Sequence, residues 1–303
     1  MMKKYYGYFL AFVFCMPLLA QKSGNKKDNG YTISEPDKQY GIFHAVKSDS
    51  NHKEFPVLVF LPDNYHDSRK EYPVVYMLHG VNRQPLTEEG IRSMNNPSTK
   101  IKEAATFYQV IIVCPLVGNT FYMNAPKKPE QKIASFVGIE LPAFIDKNYR
   151  TIKSREGRFL AGFSMGGYGA VSLLCRFPDT FSGAISRAGV LDLATGIHDL
   201  DWDNAPHTID ILGSYWDNQE LYHLNSCPNL INRIRDRKDV FIILEVGTED
   251  FLYKCNVRLH QKLNETGIPH IFAEYPGGHE WTKNCLFSML SHLQFFAPTV
   301  YKN

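Results

Sequence analysis

The chain has 303 residues, 44% of them hydrophobic and 21% charged, with 33 Lys and Arg against 31 Asp and Glu and a formal net charge of +2. That is enough apolar material for one large core, and the lack of a basic excess removes the electrostatic footprint of a nucleic-acid partner. The cysteines follow no CxxC spacing, which argues against a zinc site.

The N-terminus carries Lys3 and Lys4, an apolar run from Tyr5 to Leu19, then Ala20 and a polar stretch from Gln21 to Lys27. This order predicts a signal peptide over residues 1–20 and an exported mature protein, periplasmic or extracellular. The apolar run is shorter than the roughly 20 residues that cross a bilayer, and no later segment is apolar enough, so no stable membrane span is expected. Leu18 is large for its place before a cleavage after Ala20, while bulky Val13 and Phe14 disfavour lipid attachment at Cys15. Cleavage would leave 31 basic against 31 acidic residues and five cysteines, an odd number. Residues 21–40 read as a polar linker and lead-in. Residues 41–303, without repeats or low-complexity tracts, read as one domain.

Within that domain, apolar β-branched runs recur at Val57 to Leu61, Val74 to Leu78, Val110 to Cys114, Phe159 to Phe163, Gly183 to Ser186, Val240 to Val246 and Ile271 to Tyr275. These predict strands buried on both faces. Helical periodicity falls between and after them, at Ile101 to Tyr108, Ala134 to Asn148, Met165 to Phe177, Asn256 to Thr266 and Lys283 to Phe296. The alternation predicts an α/β fold, a mostly parallel sheet with helices on both faces. Functional loops in such folds lie at the carboxyl ends of the strands.

Three loops there carry chemistry. Gly162-Phe163-Ser164-Met165-Gly166-Gly167 joins an apolar strand to a helix, the setting in which a strained turn exposes a nucleophilic serine. The helix that starts after Ser164 offers free N–H groups for a transient oxyanion, beginning with that of Met165. Lys does not follow the glycines, as a phosphate-binding P-loop requires, and the third glycine of a dinucleotide fingerprint is missing. A serine needs an imidazole to take its proton. Of eleven histidines, His279 stands out because Pro276-Gly277-Gly278 projects it beyond a strand. A carboxylate must hold that imidazole in one tautomer. Asp250 after the strand Val240 to Val246 is favoured, with Glu249 as the adjacent alternative. The turn His79-Gly80-Val81-Asn82 follows an earlier strand, and the N–H of Val81 or Asn82 would complete an oxyanion hole, with His79 itself a structural residue of the turn. Position 283 is Lys, so His279-Glu280 does not open a His-Glu-x-x-His zinc motif, and no metal or other cofactor is expected.

The order serine, acid, histidine is that of an α/β-hydrolase. Taken together, Leu61-Pro62-Asp63-Asn64-Tyr65, Tyr72 to Gly80, Gly118-Asn119-Thr120-Phe121-Tyr122, Glu140-Leu141-Pro142, Asn148-Tyr149-Arg150, Gly162 to Gly167, Gly247-Thr248-Glu249-Asp250 and Gly277-Gly278-His279-Glu280-Trp281 resemble the esterase D-like family of α/β-hydrolases. That family includes tributyrin esterases, S-formylglutathione hydrolases, feruloyl and acetylxylan esterases and mycolyltransferases. The resemblance covers roughly Gly41 to Phe296. It implies Ser164, Asp250 and His279 as a triad and Val81 with Met165 as oxyanion donors. Phe163, where a polar residue is commoner, and the less glycine-rich Val81-Asn82-Arg83 depart from the pattern.

The implied activity is cleavage of a carboxylic ester through an acyl-enzyme, on short-chain acyl or feruloyl esters of carbohydrates or smaller molecules. Phe121, Tyr122, Trp202 and Trp281 are candidate walls of the substrate site, although large aromatics are more often core. The alternatives are acyl transfer of the mycolyltransferase type and a catalytically silent carbohydrate-binding module on the same fold. Oligomeric state and disulfide pairing are not legible in the chain.

Overall fold

The computed structural model describes residues 41–81, 100–195, 206–282 and 284–297. The signal-peptide and linker segments, Asn82 and Trp202 lie outside them. All the described residues belong to one compact unit.

Among the described residues eight strands form a single sheet: β1 (Ile42–Ser48), β2 (Lys53–Phe60), β3 (Val74–Leu78), β4 (Ile111–Pro115), β5 (Arg158–Phe163), β6 (Gly183–Arg187), β7 (Phe241–Gly247) and β8 (His270–Tyr275). Their order in space is β1-β2-β4-β3-β5-β6-β7-β8. β2 runs antiparallel to both β1 and β4, and every other pairing is parallel. The helices are α1 (Ile101–Tyr108), α2 (Leu141–Asn148), α3 (Met165–Arg176), α4 (Pro206–Leu212), α5 (Gln219–Asn225), α6 (Cys227–Leu230), α7 (Tyr253–Thr266) and α8 (Cys285–Phe296).

Side chains alternate across the central strands and build two apolar layers. Val74, Tyr76, Leu160, Ala184, Ile242 and Leu244 meet α2, α3 and α7 on one face. Val75, Phe159, Ala161, Ile185 and Ile243 meet α1 and α8 on the other. Central strands covered on both sides are apolar at most positions, which is why they stand out in the sequence as nearly continuous runs.

Register fixes where the loops converge. Leu78 pairs with Gly162, Phe163 with Arg187, Arg187 with Glu245, and Gly247 with Tyr275. The carboxyl ends of β3, β5, β6, β7 and β8 are thus level, and the turns after them share one rim.

Two expectations are corrected. β8 is only partly buried, because among the described residues it is the outermost strand and has a neighbour on one side only. The predicted helix from Ala134 to Asn148 is compound: a turn at Ile133–Ser135, a wide-turn stretch at Phe136–Glu140, then α2. Pro142, at the start of α2, has no N–H to continue a regular ladder into it. Cys114, Cys175, Cys227, Cys255 and Cys285 are all buried, and no disulfide joins them.

Candidate active site

Ser164 lies between β5 and α3 with φ 57° and ψ −117°, a conformation that side chains other than glycine rarely adopt. The turn is held from three directions. The Ser164 N–H donates to Arg187 O at 3.0 Å, and its carbonyl accepts from the N–H groups of Tyr168 at 3.1 Å and Val190 at 3.3 Å. The flanking glycines are steric requirements: a Cβ on Gly162 would stand 2.2 Å from Gly166 O, and one on Gly166 2.0 Å from Leu78 O. The tight turn can therefore form only with these two positions bare.

The other two side chains arrive on interlocked turns. Glu249 N–H donates to Gly277 O at 2.9 Å, and a Cβ on Gly247 would stand 2.2 Å from that same oxygen. Asp250 is buried, and its carboxylate accepts the Leu252 N–H at 2.8 Å. His279 Nδ1 lies 3.2 and 3.0 Å from Asp250 Oδ1 and Oδ2. Asp250 is thus the acid paired with the imidazole, while Glu249 is exposed. A proton on Nδ1, donated to Asp250, leaves Nε2 as the acceptor.

The imidazole is brought to the elbow by ring contact. Its centroid is 4.6 Å from that of Phe163, the residue before Ser164, and 4.5 Å from that of Phe251, the residue after Asp250. Among the described residues no hydrogen bond joins Ser164 Oγ to His279. Such bonds are commonly long in unliganded sites and tighten in the complex.

On the near side, a Cβ on Gly80 would lie 3.4 Å from Ser164 Cβ, so the turn after β3 passes directly beside the hydroxyl. The N–H groups of Val81 and Met165 donate to no carbonyl among the described residues. His79 explains the geometry of that turn. Its Nδ1 is 2.8 Å from Gly80 O, and its Nε2 accepts the Val117 N–H at 3.3 Å, so Nδ1 carries the proton. Burial holds the ring neutral by lowering its pKa, with the Gly80 bond acting weakly the other way. In a trans peptide the carbonyl and the next N–H point in opposite directions, so anchoring Gly80 O also aims the Val81 N–H.

The expected substrate walls fare differently. Tyr122 is completely buried, and its hydroxyl donates to His79 O at 3.0 Å, which makes it a brace of the turn and corrects its reading as a substrate contact. Phe121 is also corrected, since it is buried with its ring 5.7 Å from Tyr168. Trp281 is half-buried against the layer shared with α8, its ring 5.7 Å from Phe163. Sequence reasoning missed Phe251 and the contact role of Phe163. Their adjacency to the acid and the serine was the available signal. Among the described residues, no group of three or more His, Cys, Asp or Glu side chains could hold a metal ion.

A mostly parallel sheet whose strand ends bring a strained serine, a histidine bonded to a buried acid and two N–H groups that meet no carbonyl among the described residues to one rim defines the α/β-hydrolase class. The chain belongs to the esterase family described as "Putative esterase", whose model matches residues 48–290. It is similar to Esterase Rv1288 of Mycobacterium tuberculosis, 29% identical over 255 residues that cover 74% of this chain and 52% of that protein. The chain therefore spans about half the length of that relative. An acetyl esterase of Caldicellulosiruptor saccharolyticus is 30% identical over 188 residues, covering 60% of this chain and 70% of its own. Among solved structures, a ferulic acid esterase superposes with a TM-score of 0.66 at 25% identity, covering 85% of this chain and 97% of its own.

Proposed function

We propose that the chain is an exported serine hydrolase of carboxylic esters that works through an acyl-enzyme. The observation that carries this reading is the His279–Asp250 pair held by ring contact beside a strained Ser164. Ser164 Oγ attacks the ester carbonyl as its proton passes to His279 Nε2, and Asp250 keeps the imidazole in the receiving tautomer. The oxygen that gains charge is met by the N–H groups of Met165 and Val81. Collapse expels the alcohol, which takes the proton from His279. Water then repeats the sequence against the acyl-enzyme, freeing the acid and restoring Ser164.

The favoured substrates are short-chain acyl or feruloyl esters of carbohydrates. This rests on similarity to an acetyl esterase and a ferulic acid esterase. Export rests on the pattern of the first 20 residues. Hydrolysis of short-chain nitrophenyl esters, methyl ferulate and acetylated xylan by the purified protein tests the reading. Turnover lost in Ser164→Ala is expected, and equal turnover in that variant refutes it. Transfer of the acyl group to an added sugar alcohol in preference to water would reassign the chain to the acyltransferases.

A further inference from the structure

The Asp250 carboxylate holds one edge of the His279 imidazole. The ring is also in contact with two phenyl rings, Phe163 at an interplanar angle of 31° and Phe251 at 46°, both tilted to it. Each centroid lies well within the about 6 Å over which a cation feels the negative face of an aromatic ring. Each clamp residue is the chain neighbour of a proposed triad member, so the turns that place the triad also place the rings. Trp281 also packs against Phe163, with ring centroids 5.7 Å apart.

Resting on the ester-hydrolase reading above, we propose that Phe163 and Phe251 are positioning residues that hold the His279 ring in plane and favour its imidazolium form while it carries the Ser164 proton. A neutral imidazole gains little from a quadrupole, whereas an imidazolium is attracted to it. The contact therefore strengthens as the proton moves, the condition under which an interaction raises turnover and not only binding. Among the described residues, charged groups stand on the turns around the ring. Asp250 faces Nδ1, Glu249 and Glu280 are exposed on the two flanking turns, and on the elbow side the Arg187 guanidinium is engaged with Glu245 and lies over the Tyr275 ring.

Leucine keeps apolar bulk without a π face, and tyrosine keeps the face. Phe251 is 48% exposed, so Phe251→Leu should leave the fold intact, as a thermal melt will show. Expected in Phe251→Leu and in Phe163→Leu is a fall in kcat of about 3-fold with KM unchanged, and an acid limb of the kcat/KM profile moved about half a pH unit lower. Phe251→Tyr should restore both. Leucine variants matching the wild type in kcat and in the acid limb overturn the proposal, as does a tyrosine variant as impaired as leucine.

The clamp can be read without turnover. In the Ser164→Ala background, the NMR signal of the His279 ring should change to its protonated form at lower pH once either phenylalanine is leucine. If the wild type cleaves no ester, the functional reading fails by itself, while this signal still decides the clamp, an unmoved transition refuting it.

Discussion

At the scale of single residues, Ser164 carries a cost that its proposed role explains. A side chain held at φ 57° typically costs about 1–3 kcal/mol, and the surrounding hydrogen bonds impose it. Alanine keeps that strain and glycine releases it, although glycine gives back part of the gain through a freer unfolded chain. Ser164→Gly should therefore unfold at a higher temperature than Ser164→Ala, by about 1 kcal/mol of stability, with both inactive. Equal melting temperatures would mean the turn is unstrained. The acids make a second comparison. Asp250→Asn should reduce turnover by about 10⁴-fold through the wrong imidazole tautomer, while Glu249→Gln, at an exposed carboxylate, should stay within a few-fold of wild type. Steady-state kinetics on one nitrophenyl ester decides both, and the reverse ranking would transfer the proposed role to Glu249. The sequence placed both acids after β7 and favoured Asp250, but it could not show the contact on which the inward turn depends, the Gly277 carbonyl capturing the Glu249 N–H from another strand's loop.

At the scale of elements, the central strands were legible to within a residue or two because burial on both faces leaves an unbroken apolar run. β1 was not, since its buried positions alternate with exposed ones, and His44, Lys47 and Ser48 dilute the apolar signal. The helices α4 to α6 were missed for a related reason: they are short, and α6 is only Cys227–Leu230. Periodicity needs several turns to emerge, and these segments are held by tertiary packing of residues such as Leu212, Tyr222 and Cys227. The turns after β7 and β8 illustrate what only the fold can show, that two loops are one unit in contact. Gly247→Ala would drive a methyl into Gly277 O at 2.2 Å and push the acid and histidine turns apart. A displacement of about 1 Å at such a site can cost about 10²-fold, so kcat/KM should fall by that order with a native circular dichroism spectrum retained. A variant with wild-type kinetics would show that the turns are not mechanically coupled.

For the molecule as a whole, the apolar layer between the sheet and α8 holds one charged assembly. Arg187 and Glu245 pair at 2.7 Å at the ends of β6 and β7, almost fully buried, and Glu245 also accepts from Ser288 Oγ at 3.1 Å and His292 Nδ1 at 3.0 Å on α8. Burying an ion pair costs desolvation that its own attraction repays best when the remaining valences are satisfied, and α8 supplies those partners for the Glu245 carboxylate. The helix is thus tied to β7, the strand that leads to Asp250, and through Arg187 to β6, by polar bonds as well as by Leu286, Met289, Leu290 and Leu293. The hydrogen bond to Glu245 raises the His292 pKa above its ordinary value, with burial opposing. A histidine that binds its proton more tightly when folded contributes stability that is fully present below its unfolded pKa and is lost as pH rises through the higher folded value. Wild type should therefore melt above His292→Gln most clearly at mildly acidic pH, and the gap between them should narrow as pH rises toward 9, because the neutral ring no longer adds charge to its bond with Glu245. Melting temperatures of the two proteins across that range supply the test, and a gap independent of pH would mean that His292 holds α8 by packing alone.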